Sequence, residues 1–315
     1  MSAPLRALTA PATARIRAWV LEVFPRGRSG IDYDAPAGDA GLFGPDSVTW
    51  RIHADFPGML SGGLCALMLQ TLHPRALAGV WDHSNFREDL VGRLRRTTDF
   101  VAGTTYAGRD EATRLIARVQ AIHARVQGTT ADGTPYRADD PALLTWVHVT
   151  ESYGFLQGYR RYCRAVPTAL ADAYYAEVAC VAEAQGARDV PAREADVTVY
   201  FASVRDTLRY DERSREVLAV LSRMRLPVPM AGVSRDVFLG AGAALLPDWA
   251  DALLQRTPLQ RLQTRAASGS LATLAPLFRA ALPDGIAPRA CARIGADAAL
   301  LSRWPMAMDA RGWKA

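Results

Sequence analysis

The sequence predicts an all-α protein folded as a single compact multi-helix domain. Apolar residues recur at intervals of three and four along most of the chain, which is the spacing of a helix face that packs against a core. Half of the 315 residues are hydrophobic, enough to bury a substantial core. The sequence has no repeat at a solenoid period and no low-complexity tract. Together these observations favour ordinary globular packing of helices.

Two N-terminal segments precede the predicted core. Residues 1–25 carry arginines and an apolar stretch interrupted by Glu22, which predicts an amphipathic first helix rather than an export signal. Residues 27–47 are rich in Gly, Asp and Pro without a sustained period, which predicts an extended arm. We therefore divide the chain into an N-terminal helix and arm, residues 1–47, and a helical domain, residues 48–315.

Helical spacing runs through the middle of this domain. It covers seven segments, 59–77, 90–107, 109–127, 141–164, 167–185, 193–208 and 211–221. Pro141 and Pro191 follow acidic residues at the expected starts of helices. Residues 129–135 are rich in turn formers and could hold a short hairpin. Beyond Pro227, repeated prolines and glycines predict shorter helices.

Charge and composition exclude several classes of function. The net charge of +5 comes mainly from arginines scattered among acids, and Lys314 is the only lysine, so we expect no nucleic-acid partner. The four cysteines form no C-x-x-C pair, which excludes a zinc ribbon and favours a reducing compartment. The longest weakly polar run, residues 58–72, falls short of the ~20 residues that span a bilayer. We expect a cytoplasmic protein without a membrane span, and an oligomer is compatible with the sequence.

Several catalytic motifs are absent, and this removes whole enzyme classes. The sequence contains no P-loop, no G-x-G-x-x-G, no H-E-x-x-H and no G-x-S-x-G. Phosphate-loop hydrolases, dinucleotide-binding enzymes, zincins and the usual serine hydrolases therefore lose support. Histidines and arginines on predicted helices carry the remaining chemical signal.

His123 is the first candidate ligand. It falls on the apolar stripe of the helix predicted for 109–127, together with Ile116 and Val119. Histidine is the commonest metal ligand, so an inward histidine is a candidate for binding a metal or a haem iron. The alternative is an ordinary core histidine held by hydrogen bonds, and the spacing alone does not separate the two.

His148 and Glu151 lie on the next predicted helix, beside Trp146. Their spacing of three residues lets the two side chains meet on one helical turn. Carboxylate-bridged di-iron bundles use the same spacing in the order Glu-x-x-His, with two copies and further glutamates. Here the order is reversed and no second copy exists, so a structural His148–Glu151 pair competes with a non-haem iron site.

Arg93, Arg96 and Thr97 form a third group. Arg93 and Thr97 are four residues apart and Arg96 lies on nearly the same helix face, so two guanidinium groups and a hydroxyl could point into one pocket. Arginines of this kind suit paired carboxylates. The competing interpretation is a solvated charged face.

Two further histidines lie near the predicted end of the apolar helix. His73 precedes Pro74, which should end or kink that helix, and His83 follows after a short segment. Each could line a cavity, and each could equally cap a helix or pack.

The ordered set of these pieces resembles a known family. His73-Pro74, His83-Ser84, Arg93-Leu-Arg-Arg-Thr97, Ile122-His-Ala-Arg-Val126 and Trp146-Val-His148 occur in the order found in the bacterial family that includes MpaB-type oxygenases and the latex clearing proteins, which are rubber oxygenases. The resemblance covers residues 59–208. It implies an all-helical oxygenase-like catalytic domain built around a buried haem pocket.

The resemblance also implies roles for individual residues. It implies haem b with O₂ as co-substrate, and His123 best matches the proximal iron ligand, with His148 as second choice. Arg93 and Thr97 match the distal side of the haem. Arg96 stands where rubber oxygenases can place a lysine as distal ligand, and a permanently protonated guanidinium is a poor iron ligand. His73, His83, Trp146 and His148 complete the expected cofactor pocket.

The implied substrate is a hydrophobic small molecule or metabolite, because the chain shows no clear export signal and latex lies outside the cell. Two other functions stay open on the sequence alone. One is a non-haem iron oxygenase that uses His148 and Glu151 with His73 or His83. The other is a helical protein that binds haem or lipid without catalysis.

Overall fold

A computed structural model shows the predicted all-α architecture; it describes residues 3–226 and 231–305. The described residues form fourteen α-helices, two short 3₁₀ helices and one two-stranded antiparallel sheet. The helices are α1 (Ala3–Val23), α2 (Val48–His53), α3 (Phe56–Gln70), α4 (Pro74–His83), α5 (Leu90–Tyr106), α6 (Arg109–His123), α7 (Pro141–Tyr162), α8 (Thr168–Gln185), α9 (Glu194–Val204), α10 (Glu212–Ser222), α11 (Ala231–Ala243), α12 (Asp248–Leu253), α13 (Pro258–Ala281) and α14 (Ile286–Arg293). The strands are β1 (Gln127–Thr129) and β2 (Pro135–Arg137), and the 3₁₀ helices are Arg205–Thr207 and Ala298–Ser302.

Most of the predicted elements are confirmed. The break that Pro74 predicts within the segment 59–77 is present: α3 ends at Gln70 and α4 starts at Pro74, which has no backbone N–H to continue a helix. The segment 109–127 ends as a helix at His123, and Gln127 pairs with Arg137 in the hairpin that the turn-rich loop predicts. The arm at 27–47 contains neither helix nor strand.

The prediction of only shorter helices beyond Pro227 is wrong for α13. With 24 residues, α13 is the longest helix in the described parts of the chain. Its first turn accepts Pro258 because a backbone N–H there has no intrahelical partner. A capping box supports the start, since Thr257 and Gln260 exchange hydrogen bonds between side chain and backbone. Pro227 itself lies outside the described residues.

The centre of the molecule is the packing of α3 on α7. Glycines face each other across this contact: a Cβ added to Gly154 would overlap the carbonyl oxygen of Gly62, and one added to Gly158 would overlap that of Gly58. Only glycine lets two helix backbones come this close. The two helices therefore form the rigid base on which α11 and α13 pack from one side and α8 and α9 from another.

The N-terminal arm is fastened to the end of the chain by a buried arginine. Arg293 of α14 donates hydrogen bonds to the carbonyl oxygens of Tyr33, Asp39 and Tyr106. A second buried arginine, Arg51 of α2, donates to backbone carbonyls near the end of the arm and in the C-terminal segment. The arm thus belongs to the same folded unit as the helices.

None of the described helices is both long enough and apolar enough to cross a membrane.

Candidate active site

Helices α5 and α6 form a hairpin that carries the first group of predicted residues. Only Ala107 and Gly108 join the two helices, and Leu115 packs directly over Gly103 near the closed end. Arg93 and His123 lie at the other, open end of this hairpin. The hairpin packs on α2, α8 and α14, whereas α3 and α7 pack mainly on each other.

Arg93 is a half-buried cation without a counter-ion. Its guanidinium has no hydrogen-bond or ion-pair partner in residues 3–226 and 231–305, and burial, together with the nearby charge of Arg96, lowers its pKa. The next arginine behaves differently, because Arg95 donates to the last carbonyl oxygens of α1, at Glu22 and Val23. A half-buried guanidinium without a partner in the protein can bind an anion, because pairing the charge offsets the cost of burying it.

Arg96 and Thr97 point elsewhere in this conformation. The side chain of Arg96 is 63% exposed and lies 3.6 Å from the Asp89 carboxylate. Thr97 is exposed, and its hydroxyl donates to the carbonyl oxygen of Arg93 at 3.3 Å. The structure therefore separates Arg93 from the other two members of the predicted group.

His123 is the last residue of α6 and is half-buried. Its Nδ1 atom is buried and has no hydrogen-bond partner. Burial lowers the pKa of the imidazole, and the nearby carboxylate of Asp139 opposes that shift only in part. His123 is therefore mainly neutral at pH 7, the form whose ring nitrogen can bind a metal. The adjacent Ile122 is 51% exposed, which places His123 close to the protein surface.

His148 and Glu151 lie two and three turns into α7 and share one face. Burial lowers the pKa of His148 to about 4 and raises that of Glu151 to about 7, the latter opposed by the amide of Gln70. Both side chains nevertheless keep part of their surface accessible. Both side chains are thus enclosed by neighbouring helices without being completely covered.

The predicted pairing of His148 with Glu151 does not occur. No hydrogen bond joins the two side chains, and the ring nitrogens of His148 have no partner anywhere in the described chain. The imidazole of His148 is thus neutral and has both ring nitrogens unpaired. This makes it a second candidate ligand on geometric grounds.

His53, at the end of α2, lies close to His148 and was missed by sequence reasoning. Its Nδ1 is 2.9 Å from the hydroxyl oxygen of Thr105, and its Nε2 is 3.0 Å from the hydroxyl of Tyr174. Thr105 already donates its only hydroxyl proton to Val101, so Nδ1 must donate and Nε2 must accept from Tyr174. Burial lowers the pKa of His53 to about 3, so both nitrogens are occupied in a neutral ring.

A buried carboxylate holds α2, and therefore His53, in place. Glu177 of α8 accepts hydrogen bonds from the backbone N–H groups of Val48 and Thr49 and from the Thr49 hydroxyl. These N–H groups begin α2 and have no partner inside the helix. No pattern in the sequence shows that a glutamate of α8 caps a helix 128 residues away.

The remaining predicted residues lie at the two ends of α4 and in the second turn of α7. His73 precedes α4 and its ring lies 5.8 Å from that of Trp146, while His73 Nδ1 and Trp146 Nε1 are both buried without a partner. Burial lowers the pKa of His73 to about 4. His83 is exposed and lies against the β1–β2 hairpin. Its Nε2 is 3.1 Å from the Gln127 carbonyl oxygen and 3.2 Å from the Tyr136 hydroxyl.

Comparison with known families identifies this arrangement. Residues 50–280 match the family described as ER-bound oxygenase mpaB/B'/rubber oxygenase, catalytic domain. The chain belongs to this family. The match spans well over half of the chain and contains every residue that the sequence analysis selects. No curated protein and no solved structure matches the chain.

The donor set of this oxygenase-family domain argues against a metal held by protein side chains alone. No three His, Cys, Asp or Glu side chains within the described ranges lie close enough together to hold one ion. His73 and His83 contact Trp146 and Tyr136 rather than the His148–Glu151 face. The non-haem site predicted as an alternative from His148 and Glu151 with His73 or His83 is therefore not assembled.

The residues do fit a haem. A haem iron needs one neutral imidazole from the protein, and its propionates need cationic partners. His123 and His148 are each neutral with unpaired ring nitrogens, and Arg93 is a half-buried guanidinium with no counter-ion. A buried polar atom without a partner, such as His123 Nδ1, is uncommon, and each of these three groups has the chemistry that a haem satisfies.

Proposed function

We propose that this chain is a haem b-dependent oxygenase that acts on a hydrophobic small molecule or metabolite. Membership of an oxygenase family supports the reaction class. The single observation that supports the cofactor is the unpaired Arg93 guanidinium at the open end of the same helix hairpin as the neutral, unpaired imidazole of His123.

In this proposal His123 is the proximal iron ligand and Arg93 neutralises a propionate. The bound haem would supply the redox chemistry, with O₂ as co-substrate. Burial keeps His123 neutral, as an iron ligand requires, although the nearby charge of Asp139 opposes the lowered pKa in part. Trp146, His73 and His83 would complete the pocket wall, and Arg96 would reach the distal side by leaving Asp89.

Apolar side chains of α3 suit the proposed substrate. Met59, Leu60 and Leu67 are partly accessible although they lie on a core helix, and a Cβ at Gly63 would sit 3.6 Å from the ring of Phe155. These side chains would bind an apolar chain and exclude water from the reacting end. Thr97, which is exposed one turn after Arg93, would donate a hydrogen bond to a polar atom of the substrate.

The absorption spectrum of the purified protein tests the cofactor and its ligand together. We expect a Soret band and one haem b per chain in a pyridine haemochrome assay. His123→Ala should abolish the band, whereas His148→Ala should retain it. Arg118→Ala is the matched control, because Arg118 is exposed on the same helix as His123 and has no role in the proposed pocket.

Each other outcome has a defined meaning. Loss of the band only in His148→Ala would move the iron ligand to α7 and contradict the assignment of His123. Iron without porphyrin would contradict the haem. Haem that forms a stable oxygen complex and consumes no O₂ with any hydrophobic substrate would contradict the oxygenase and favour storage or sensing.

A further inference from the structure

One long helix face on the side of α13 away from the core is uncovered. Thr264, Ser268, Leu271 and Ala275 face inward and are buried, whereas the opposite side is exposed from Leu259 to Thr273; α1 packs against the last turns of α13, where Ala281 is buried. We call this exposed side the α13 outer face; its central residues are Leu259, Leu262, Ala266, Gly269 and Thr273.

The α13 outer face is more apolar than a solvated face requires. Leu259 is 64% exposed and Leu262 is 63% exposed, and a Cβ added at Gly269 would meet no atom within 4 Å. The spacing of three and four residues aligns these positions in one stripe. At 1.5 Å per residue, the stripe from Leu259 to Thr273 extends over about 21 Å.

The charges carried by α13 itself are all positive. The sequence contains no acidic residue between Asp251 and Asp284, while Arg261 and Arg265 flank the apolar stripe on the same side. Arg261 lies 2.7 Å from Asp251, but Arg265 is exposed and has no partner in the described part of the chain. Long arginine side chains beside an apolar stripe can reach acidic headgroups while the leucines enter the acyl boundary.

We propose that the α13 outer face docks on an anionic lipid bilayer, with the helix lying in the plane of the membrane surface. A second copy of the chain fits less well. A two-fold contact through this face would bring Arg261 and Arg265 towards their own copies, with no acid on the helix to pair them. Acidic headgroups supply the missing counter-charge to Arg265. This docking is independent of the cofactor and of the reaction.

Co-sedimentation of the full-length protein with vesicles tests the proposal. We expect binding to vesicles of phosphatidylcholine with phosphatidylglycerol, little binding to phosphatidylcholine alone, and weaker binding as salt increases. Arg265→Glu should lower the partition coefficient about fivefold or more, the effect of one basic residue near an anionic surface, while Arg265→Lys should retain binding. The double variant Leu259→Gln/Leu262→Gln should lose it.

Val199→Gln on α9 is the matched control, because Val199 is 68% exposed and lies outside this face. All variants should keep the wild-type circular dichroism spectrum, since the changed side chains are exposed. Absence of binding to either vesicle, or equal binding to both, would overturn the proposal. So would a dimer in light scattering that the double leucine variant dissociates, because that result assigns the face to a second copy.

Discussion

Burial shifts the pKa values of Glu151 and His148 on α7 in opposite directions, because it disfavours the charged form of each side chain. Glu151 keeps its proton in the folded chain up to a pKa of about 7, against 4.5 as a free side chain. His148 loses its proton at a pKa of about 4, against 6.5. The first shift lowers the free energy of unfolding as pH rises from 4.5 to 7, and the second lowers it as pH falls from 6.5 to 4. Between about pH 5 and pH 6 both groups are therefore mainly uncharged.

Replacing Glu151 should remove the loss of unfolding free energy that occurs as pH rises from 4.5 to 7. Glu151→Gln keeps the shape and cannot ionise, so its free energy of unfolding relative to wild type should rise by on the order of 2–3 kcal/mol between pH 5 and pH 8. Urea unfolding at the two pH values measures this change. Glu88→Gln, at an exposed position, should show no such rise. Equal pH dependence in Glu151→Gln and wild type would show that Glu151 ionises freely in the folded protein.

The cap on α2 is a second feature of single-residue scale. Glu177→Gln should lower the free energy of unfolding by about 1–3 kcal/mol, because one amide N–H₂ must then face a backbone N–H donor. Denaturant titration measures the loss. Glu183→Gln, on the exposed side of the same helix, is the control and should change stability by less than about 0.5 kcal/mol. If Glu177→Gln leaves the free energy of unfolding unchanged, other contacts position α2 and with it His53.

Among the elements, the α3–α7 pair depends on the absence of side chains. Gly154→Ala would push a methyl group into the Gly62 carbonyl oxygen, and two rigid helix backbones can separate only by disturbing the core around them. We expect a loss of about 2–4 kcal/mol, measured by thermal or urea unfolding. Gly63→Ala on α3 is the matched control: its methyl group would sit 3.6 Å from Phe155, and alanine favours a helix, so stability should stay the same or rise by up to about 1 kcal/mol. Similar losses in both variants would contradict close backbone packing as the cause.

At the same scale, periodicity shows why some elements and site residues could be predicted and others could not. The long helices α5 to α9 each have one buried face, so their apolar spacing predicts them within a few residues. Helix α2 has six residues, too few for a period to emerge, and its residue His53 was therefore overlooked. His123 and His148 could be selected from motifs, but the absence of a partner for Arg93 depends on contacts distant in sequence. The prolines of α13 indicated helix breaks, because the sequence alone does not show whether a proline stands in the first turn of a helix, which tolerates it, or in the interior, which does not.

At the scale of the whole molecule, the first and last parts of the chain meet at α14. Arg293 of α14 satisfies three carbonyl oxygens, those of Tyr33 and Asp39 in the arm and Tyr106 at the end of α5. The arm has no sheet or helix of its own, so these bonds replace the backbone pairing that regular structure would provide. Because Tyr106 ends the helix that carries Arg93, the same guanidinium connects the arm to the hairpin of the candidate site.

Removing this connection should release the arm without unfolding the helical core. Arg293→Lys cannot donate to three carbonyl oxygens in the same fork geometry, and it leaves buried acceptors unpaired, so we expect a loss of about 2–5 kcal/mol. Hydrogen exchange should accelerate in residues 27–47, whereas α3 and α7 should remain protected. Arg289→Lys is the control: it belongs to the same helix but forms a surface pair with Asp34 at 2.6 Å, and such pairs contribute about 1 kcal/mol at most. Unchanged exchange of the arm in Arg293→Lys would show that the arm is held by its apolar contacts, chiefly those of Ile31 and Tyr33 in the cluster around Trp50.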